Sequence, residues 1–320
     1  MHVVSSTFRD VLVRWKLLKP KDKLLVAVSG GIDSMVLLHL LTHLPARWQL
    51  RPVVLHFNHR LRGKESEQDE TFVKNYCRDQ KIPCFVGKAP VWKSHDNLQA
   101  RARFQRYRFF KHQAERHHLG KLLTAHHAND QAETFLIHWI QGAGLKGLAG
   151  MPLQQEVDGL MRVRPLLFIS RAEIVSYARH YRIPFREDSS NQKPDYLRNQ
   201  IRLLLKKLQS INPQLAIRSA TNALFLQQDE DFMNRAITRY ERARPEGDSG
   251  CPVARYLRLH PAMRFRLLQR MYRKVRVEER LSGDHVLKID ELIQAPGGRS
   301  HYHLSGKVLF CKERGRFFFK

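Results

Sequence analysis

The 320-residue sequence predicts an α/β protein: a doubly wound, mostly parallel sheet, then a smaller, basic, mainly helical domain ending in a short β element. Three observations carry that prediction. Short Val/Leu-rich runs alternate with helical patterns through the first half, as in parallel sheets with crossover helices. From about residue 215 the apolar periodicity becomes helical. The closing stretch, GGRSHYHLSGKVLFCKERGRFFFK, returns to short alternating runs broken by Gly turns.

In chain order, strands are predicted at residues 24–28, 52–57, 84–87, 122–125 and 162–166. Helices are predicted near 34–44, 66–80, 98–118, 129–140 and 170–181. The run RARPEGDSGCP at 242–252 reads as a loop within the second half. The domain boundary is placed at INPQ, giving domains 1–213 and 214–320.

A mass of 37.6 kDa is ample for a buried core. The formal charge of +26 exceeds what solubility requires and points to a polyanion, foremost a nucleic acid. Residues 217–320 hold 21 Lys/Arg against 12 Asp/Glu, and the remainder is also basic, so both parts are expected to touch that partner. No apolar run approaches the ~20 residues of a membrane span, and the N-terminus lacks the apolar core of a signal peptide. The expectation is a cytoplasmic protein with no membrane partner. Cys77, Cys84, Cys251 and Cys311 form no CxxC pair and no zinc-type cluster, which reads as reduced structural thiols.

The stretch KLLVAVSGGIDSMVLLHLL runs from a strand through two glycines into a helix. Such a turn aims backbone N–H groups and a helix N-terminus at phosphate oxygens. Ser29, Gly30, Gly31, Ile32, Asp33 and Ser34 are therefore candidate phosphate-binding residues. Neither GxxxxGK[ST] nor GxGxxG is present. Without a lysine, the loop must hold pyrophosphate through backbone and hydroxyl donors, with Asp33 available for Mg²⁺. Further on, Asp130, Glu133 and Thr134 share one face of a helix starting near Ala128, beside His126 and His127.

SGGIDS after an apolar strand resembles the SGGxDS signature of the N-type ATP pyrophosphatases, the PP-loop family. The further blocks HFNHRLRGKES, NLQARARFQRYRFF, TAHHANDQAETFLIHWIQGAG, VRPLLFISRAEI and REDSSNQKPDYLRNQIR resemble, in this order, the tRNA(Ile)-lysidine synthetase family up to about residue 205. Asn129 departs from that pattern, standing where many members carry Asp.

The resemblance implies an ATP- and Mg²⁺-dependent ligase that joins free L-lysine to C2 of the wobble cytidine of isoleucine tRNA with a CAU anticodon, through an adenylated intermediate. It implies Asp33 and Asp130 as metal ligands, with Glu133 and His126 orienting or deprotonating the lysine amine. Arg101 and Arg198 would stabilise the transferring phosphoryl group. His59, Arg62 and Arg202 would contact tRNA, and Asp188, Ser189 and Asn191 would form a turn lining the site. In the second domain, a helix from Pro261 is read with Leu267, Leu268, Met271 and Val275 inward; Arg266, Arg270, Arg273 and Lys274 share an outward face offered to the tRNA backbone. A homodimer is compatible with this reading. The competing reading is a PP-loop tRNA thiolase, which generally needs paired cysteines.

Overall fold

The computed structural model describes residues 2–90, 92, 97–187, 196–243, 250–276, 279, 281–304, 306 and 308–320. The predicted turn at Asp188, Ser189 and Asn191 and most of the 242–252 loop lie outside the described residues.

Strand β1 (Lys23–Ala27) buries Leu24, Leu25 and Val26 completely, as a central parallel strand covered on both faces must. It pairs with β2 (Arg51–Asn58), which pairs with β3 (Cys84–Lys88). On its other side lie β4 (Lys121–Leu123), β6 (Leu160–Val163) and the edge strand β5 (Gln154–Val157). The order is β3-β2-β1-β4-β6-β5, parallel throughout except for the β5–β6 hairpin. The chain moves outward from β1 to β3 and returns to β4, so the topological switch lies between β1 and β4. Open α/β sheets bind ligands at the carboxyl ends of the strands flanking that point.

One face of the sheet carries α1 (Val3–Arg14), α2 (Ile32–Thr42), α3 (Lys64–Asp79) and α7 (Arg171–His180), joined in one apolar core through Phe8, Met35, Val73 and Tyr177. Helix α2 buries Met35, Val36, Leu37, Leu38, Leu40 and Leu41 because it lies inside the layer rather than on its surface. On the other face, α4 (Leu98–Arg116) seats Phe110 and Ala114 on Leu25, Leu55 and Leu122.

Helix α5 (Ala128–Ile140) leads to the short α6 (Leu145–Leu148) and packs Ala132 against Ile201 and Leu205 of α8 (Tyr196–Ile211). Buried Gln131 of α5 holds the loop before β5: its Oε1 accepts the Met151 N–H at 2.9 Å and its Nε2 donates to the Met151 carbonyl at 3.2 Å. Ala216 and Ala220, in the first turns of α9 (Leu215–Arg242), pack on Ala128. The chain divides into compact units Met1–Gln227 and Gln228–Lys320, later than the expected 213/214. The cause is this packing, which ties α8 and the start of α9 to α5.

The second unit comprises the rest of α9, α10 (Val253–Leu257), α11 (Pro261–Val275) and α12 (Gly283–Gln294). Its antiparallel sheet has the order β7 (Cys251–Pro252), β10 (Arg316–Phe319), β9 (Leu309–Glu313), β8 (Arg299–His303). Leu267, Leu268, Ile289, Phe310 and Phe317 form its core. The predicted fold class is the one observed, while α1, β5 and α8 are elements the sequence reading lacked. All four cysteines are free, and no described helix is long and apolar enough to cross a membrane.

Candidate functional site

A cavity of about 430 Å³ opens at the carboxyl ends of the strands around the switch point. Ser29, Gly31, Asp33 and Ser34 line it from the β1–α2 turn, His59 and Arg62 from beyond β2, Arg106, Tyr107 and Phe110 from α4, and Thr124 and His126 from beyond β4. The structure thus brings the loop residues into one space with His59, Arg62 and His126.

The loop is shaped before any ligand arrives. The Ser29 N–H donates to Ser34 Oγ at 3.2 Å, and Ser34 Oγ donates to the Gly31 carbonyl at 2.9 Å. Gly30 has φ +94°, a conformation that calls for glycine, and a Cβ there would sit tightly against Val73 Cγ2 at 3.3 Å. Its carbonyl accepts the Arg186 N–H at 3.0 Å. Arg186 also pairs with Asp69 at 2.6 Å, and Asp69 pairs with Arg62 at 2.6 Å. Arg62 is thereby oriented by a shared carboxylate on α3.

At the helix starts, Asp33 Oδ2 accepts from Arg171 at 2.8 Å, while Asp33 Oδ1 is buried without a hydrogen-bond donor. His127 stands between the two acidic candidates: its Nε2 lies 3.8 Å from Asp33 Oδ1 and its Nδ1 3.6 Å from Asp130 Oδ2. Asp130 Oδ2 accepts the His127 N–H at 3.0 Å, capping α5. Burial pushes the Asp130 carboxyl above its ordinary range, against the opposing pull of His127. A lone buried acceptor and a carboxyl with a raised pKa are what a cation would relieve. Mg²⁺ is commonly held by one or two carboxylates plus phosphate oxygens, so Asp33 and Asp130 fit that role. Asn129 accepts the Arg171 N–H at 2.9 Å, so it holds α7 beside α5.

Glu133 is buried and accepts from both Arg198 at 2.9 Å and Arg202 at 2.8 Å. The two arginines lie one turn apart on α8, so one carboxylate serves both. Glu133, Arg198 and Arg202 thus form one ion cluster, and Glu133 is a clamp for guanidinium groups rather than a free base. His126 is also unsuited to deprotonate an amine. Burial, with Arg164, Arg103 and Arg106 nearby, lowers its pKa to about 3, leaving a neutral ring that hydrogen-bonds Thr124 at 2.9 Å. His59 is likewise held down at about 4 by burial and then Arg106.

Two further expectations change. Arg101 is exposed, its guanidinium lying 5.4 Å from the Trp92 ring centre, and it does not line the cavity. Five helical residues turn a side chain to another face, and it is Arg106 that reaches the crevice. On α11, Arg266 and Arg270 do not face outward. They bond Glu230 at 2.8 Å and Glu241 at 2.6 Å on α9, because those acidic residues line the neighbouring helix. Lys274 remains exposed, 3.8 Å from Glu241, Arg273 is half-buried, and Val275, expected inward, is exposed while Tyr272 takes the buried position. The residues missed by sequence reasoning are Arg106, Asp69, Arg171 and Arg186, none of which left a local signal, while of the pair His126 and His127 it is His127 that stands between the two acidic candidates.

A family profile described as the PP-loop domain matches residues 3–208. The tRNA(Ile)-lysidine synthase of Geobacillus kaustophilus is 34% identical over 274 residues, covering 82% of this chain and 58% of that protein. That of Geobacter sulfurreducens is 35% identical over 307 residues, covering 92% of this chain and 64% of that protein. The chain therefore spans less than two-thirds of the length of these relatives. Among solved structures, the U34-tRNA thiolase of Methanococcus maripaludis with its 4Fe-4S cluster superposes with a TM-score of 0.58 at 16% identity, over 70% of this chain and 78% of that one, a likeness of fold.

Proposed function

From the chain's membership of the PP-loop family, we propose that it adenylates the wobble cytidine of isoleucine tRNA with a CAU anticodon and replaces the adenylate with L-lysine. Similarity to two tRNA(Ile)-lysidine synthases along most of the chain supports the substrate. The observation that carries the chemistry is the cavity in which residues of the SGGIDS loop meet Arg62, Arg106, His59 and His126.

Cytosine O2 attacks the α-phosphorus of ATP and pyrophosphate leaves; the lysine ε-amine then attacks C2 and AMP departs with O2. Ser29, Gly31 and Ser34 offer backbone and hydroxyl donors to the phosphates. Mg²⁺ held by Asp33 and Asp130 would neutralise charge on those phosphates. Arg198, paired with Glu133, would supply positive charge to the transferring group, and Arg202, held by the same carboxylate, would contact tRNA. His59 and Arg62 are placed to contact the anticodon strand.

The lysine amine must lose its proton, since at a reference pKa of ~10.4 about one in two thousand is free at pH 7. The cavity can supply this without a dedicated base. The burial and arginine charge that hold His126 at about 3 disfavour an ammonium for the same reason they disfavour an imidazolium.

The second unit is proposed to grip the tRNA backbone through exposed cations such as Lys274, with Arg273 beside it. The setting would be the cytoplasm. The thiolase reading is weaker because no cysteine lines the cavity. Nucleoside mass spectrometry on a CAU-anticodon isoleucine tRNA transcript, incubated with protein, ATP, Mg²⁺ and lysine, tests the proposal. A cytidine heavier by one lysine less one water, dependent on both ATP and lysine, is expected. An unmodified transcript would discard the assignment.

A further inference from the structure

Next to the cavity, where Arg106 and Tyr107 line it from α4, lies a cluster of arginines that pair with no carboxylate among the described residues. Strand alternation puts Leu160 and Arg162 on one face of β6, the face that α4 also covers, and Arg164 follows directly after the strand. Helical spacing brings Arg103 and Arg106, three residues apart, to the same place. Three of these guanidinium groups gather on one ring: Arg162 lies 3.9 Å from the centre of Tyr107, Arg103 5.0 Å and Arg106 5.5 Å. Arg164 is buried beside them, giving one hydrogen bond to the Pro152 carbonyl at 2.7 Å. The Nε atoms of Arg162 and Arg164 are buried with no acceptor.

Among the described residues, no carboxylate forms an ion pair with any of the four. The other arginines around the cavity contrast with them: Arg62 and Arg186 share Asp69, while Arg171 has Asp33. One tyrosine ring attracts cations but cannot neutralise four. Gathering like charges in a half-buried place opposes folding, so the arrangement is explained by an anion that joins it.

We propose that Arg103, Arg106, Arg162 and Arg164, grouped around Tyr107, form a second anion site distinct from the glycine loop, which takes a phosphate group. This deepens the tRNA-modifying reading and rests on it for the source of the phosphate. That source is either a phosphodiester of the RNA strand beside the target nucleotide or the polyphosphate of ATP. Arg103 is exposed and Arg106 lines the cavity, so a phosphate from either source can reach the cluster.

The test is the double variant Arg103→Gln/Arg162→Gln in the full chain, two residues not assigned to the reaction itself. Three quantities are compared with the wild type: the dissociation constant for unmodified tRNA across a salt series, that for ATP, and the thermal midpoint without ligands. An RNA phosphodiester predicts weaker tRNA binding, a log K against log salt slope shallower by about one to two, and unchanged ATP affinity. A nucleotide phosphate predicts weaker ATP binding with the salt slope unchanged. In either case the ligand-free midpoint should rise, because mutual repulsion is removed. Arg103→Lys/Arg162→Lys, which keeps both charges, should retain the wild-type slope. Unchanged affinity for both ligands, or a midpoint that falls together with both, would overturn the proposal. Wild-type protein that binds tRNA and ATP yet forms no lysidine would remove the functional reading and leave this test intact.

Discussion

Glu133 is the residue whose replacement separates two accounts of the site. Each of its oxygens accepts from one guanidinium, and its side chain is 7% exposed while those of Arg198 and Arg202 are 42% and 40% exposed. A charge-assisted hydrogen bond in a protein contributes about 1.5–3 kcal/mol, but water can reclaim guanidinium groups this open, as at surface pairs worth about 0.2–1 kcal/mol. Glu133→Ala should therefore cost about 2–3 kcal/mol, and Glu133→Gln about half that. For a unit of this size the alanine variant should melt about 5–10 °C lower. The assay pairs thermal unfolding with two reaction readouts, pyrophosphate release from ATP in the presence of tRNA and lysidine formation after lysine is added. If Glu133 aims the arginines, both readouts fall together, and a double-mutant cycle with Arg202→Gln gives a coupling of about 1 kcal/mol. A Glu133→Gln protein of unchanged stability, with normal pyrophosphate release but lysidine formation slowed by about 10²–10⁴, would refute this and restore Glu133 as a general base.

Asp130→Asn should raise the melting temperature of the ligand-free protein while abolishing pyrophosphate release, since the amide oxygen can still cap α5 and the cost of a buried charge disappears; calorimetry showing a fall would remove the claim that this carboxyl is strained. Asp33→Asn should remove Mg²⁺-dependent ATP binding but leave tRNA affinity intact, and loss of tRNA affinity in a filter assay would assign Asp33 to the RNA surface instead. The lowered pKa of His126, from 6.5 to about 3, means that the folded state binds fewer protons than the unfolded one. Its neutral ring costs nothing above pH 6.5 and costs stability progressively as pH falls through 6.5 toward 3, so His126→Gln should flatten denaturation midpoints over that range. Glu70 works in the neighbouring window: against the upward push of burial, Asn58, Lys74 and Lys88 hold it at about 2, so its contribution is present above about 4.5 and lost as pH falls toward 2. A Glu70→Gln protein with the same acid midpoint as wild type would contradict that assignment.

The parts of the site legible in the sequence are those written within one element. The continuous apolar run before SGGIDS announces a central strand, and the helix carrying Asp130 and Glu133 shows its faces through a regular repeat. What escaped depends on pieces far apart in the chain. Choosing Arg106 over Arg101 requires the phase at which α4 meets the sheet, which Phe110 and Ala114 set by docking on β1, β2 and β4. Arg266 and Arg270 read as solvent-facing until Glu230 and Glu241 are placed opposite them. Strand β5, QQEV, carries no apolar alternation of its own and is formed by pairing with β6. Helix α8 is within reach of the sequence, since Ile201 and Leu205 mark its buried stripe at helical spacing, but the polar run before it draws the reading to a turn.

Gln131 has a consequence for how this chain can drift. Its carboxamide imitates a peptide group, giving and accepting one hydrogen bond with Met151 in the manner of a neighbouring strand. A single base change in a glutamine codon leads to Lys, Arg, Glu, His, Leu, Pro or a stop, and none of these presents a carboxamide. Asn does, but lies two changes away and is one methylene short. The position has no near-neutral neighbour in the genetic code, so lineages should keep Gln131 or recast the whole loop before β5, with few intermediates between.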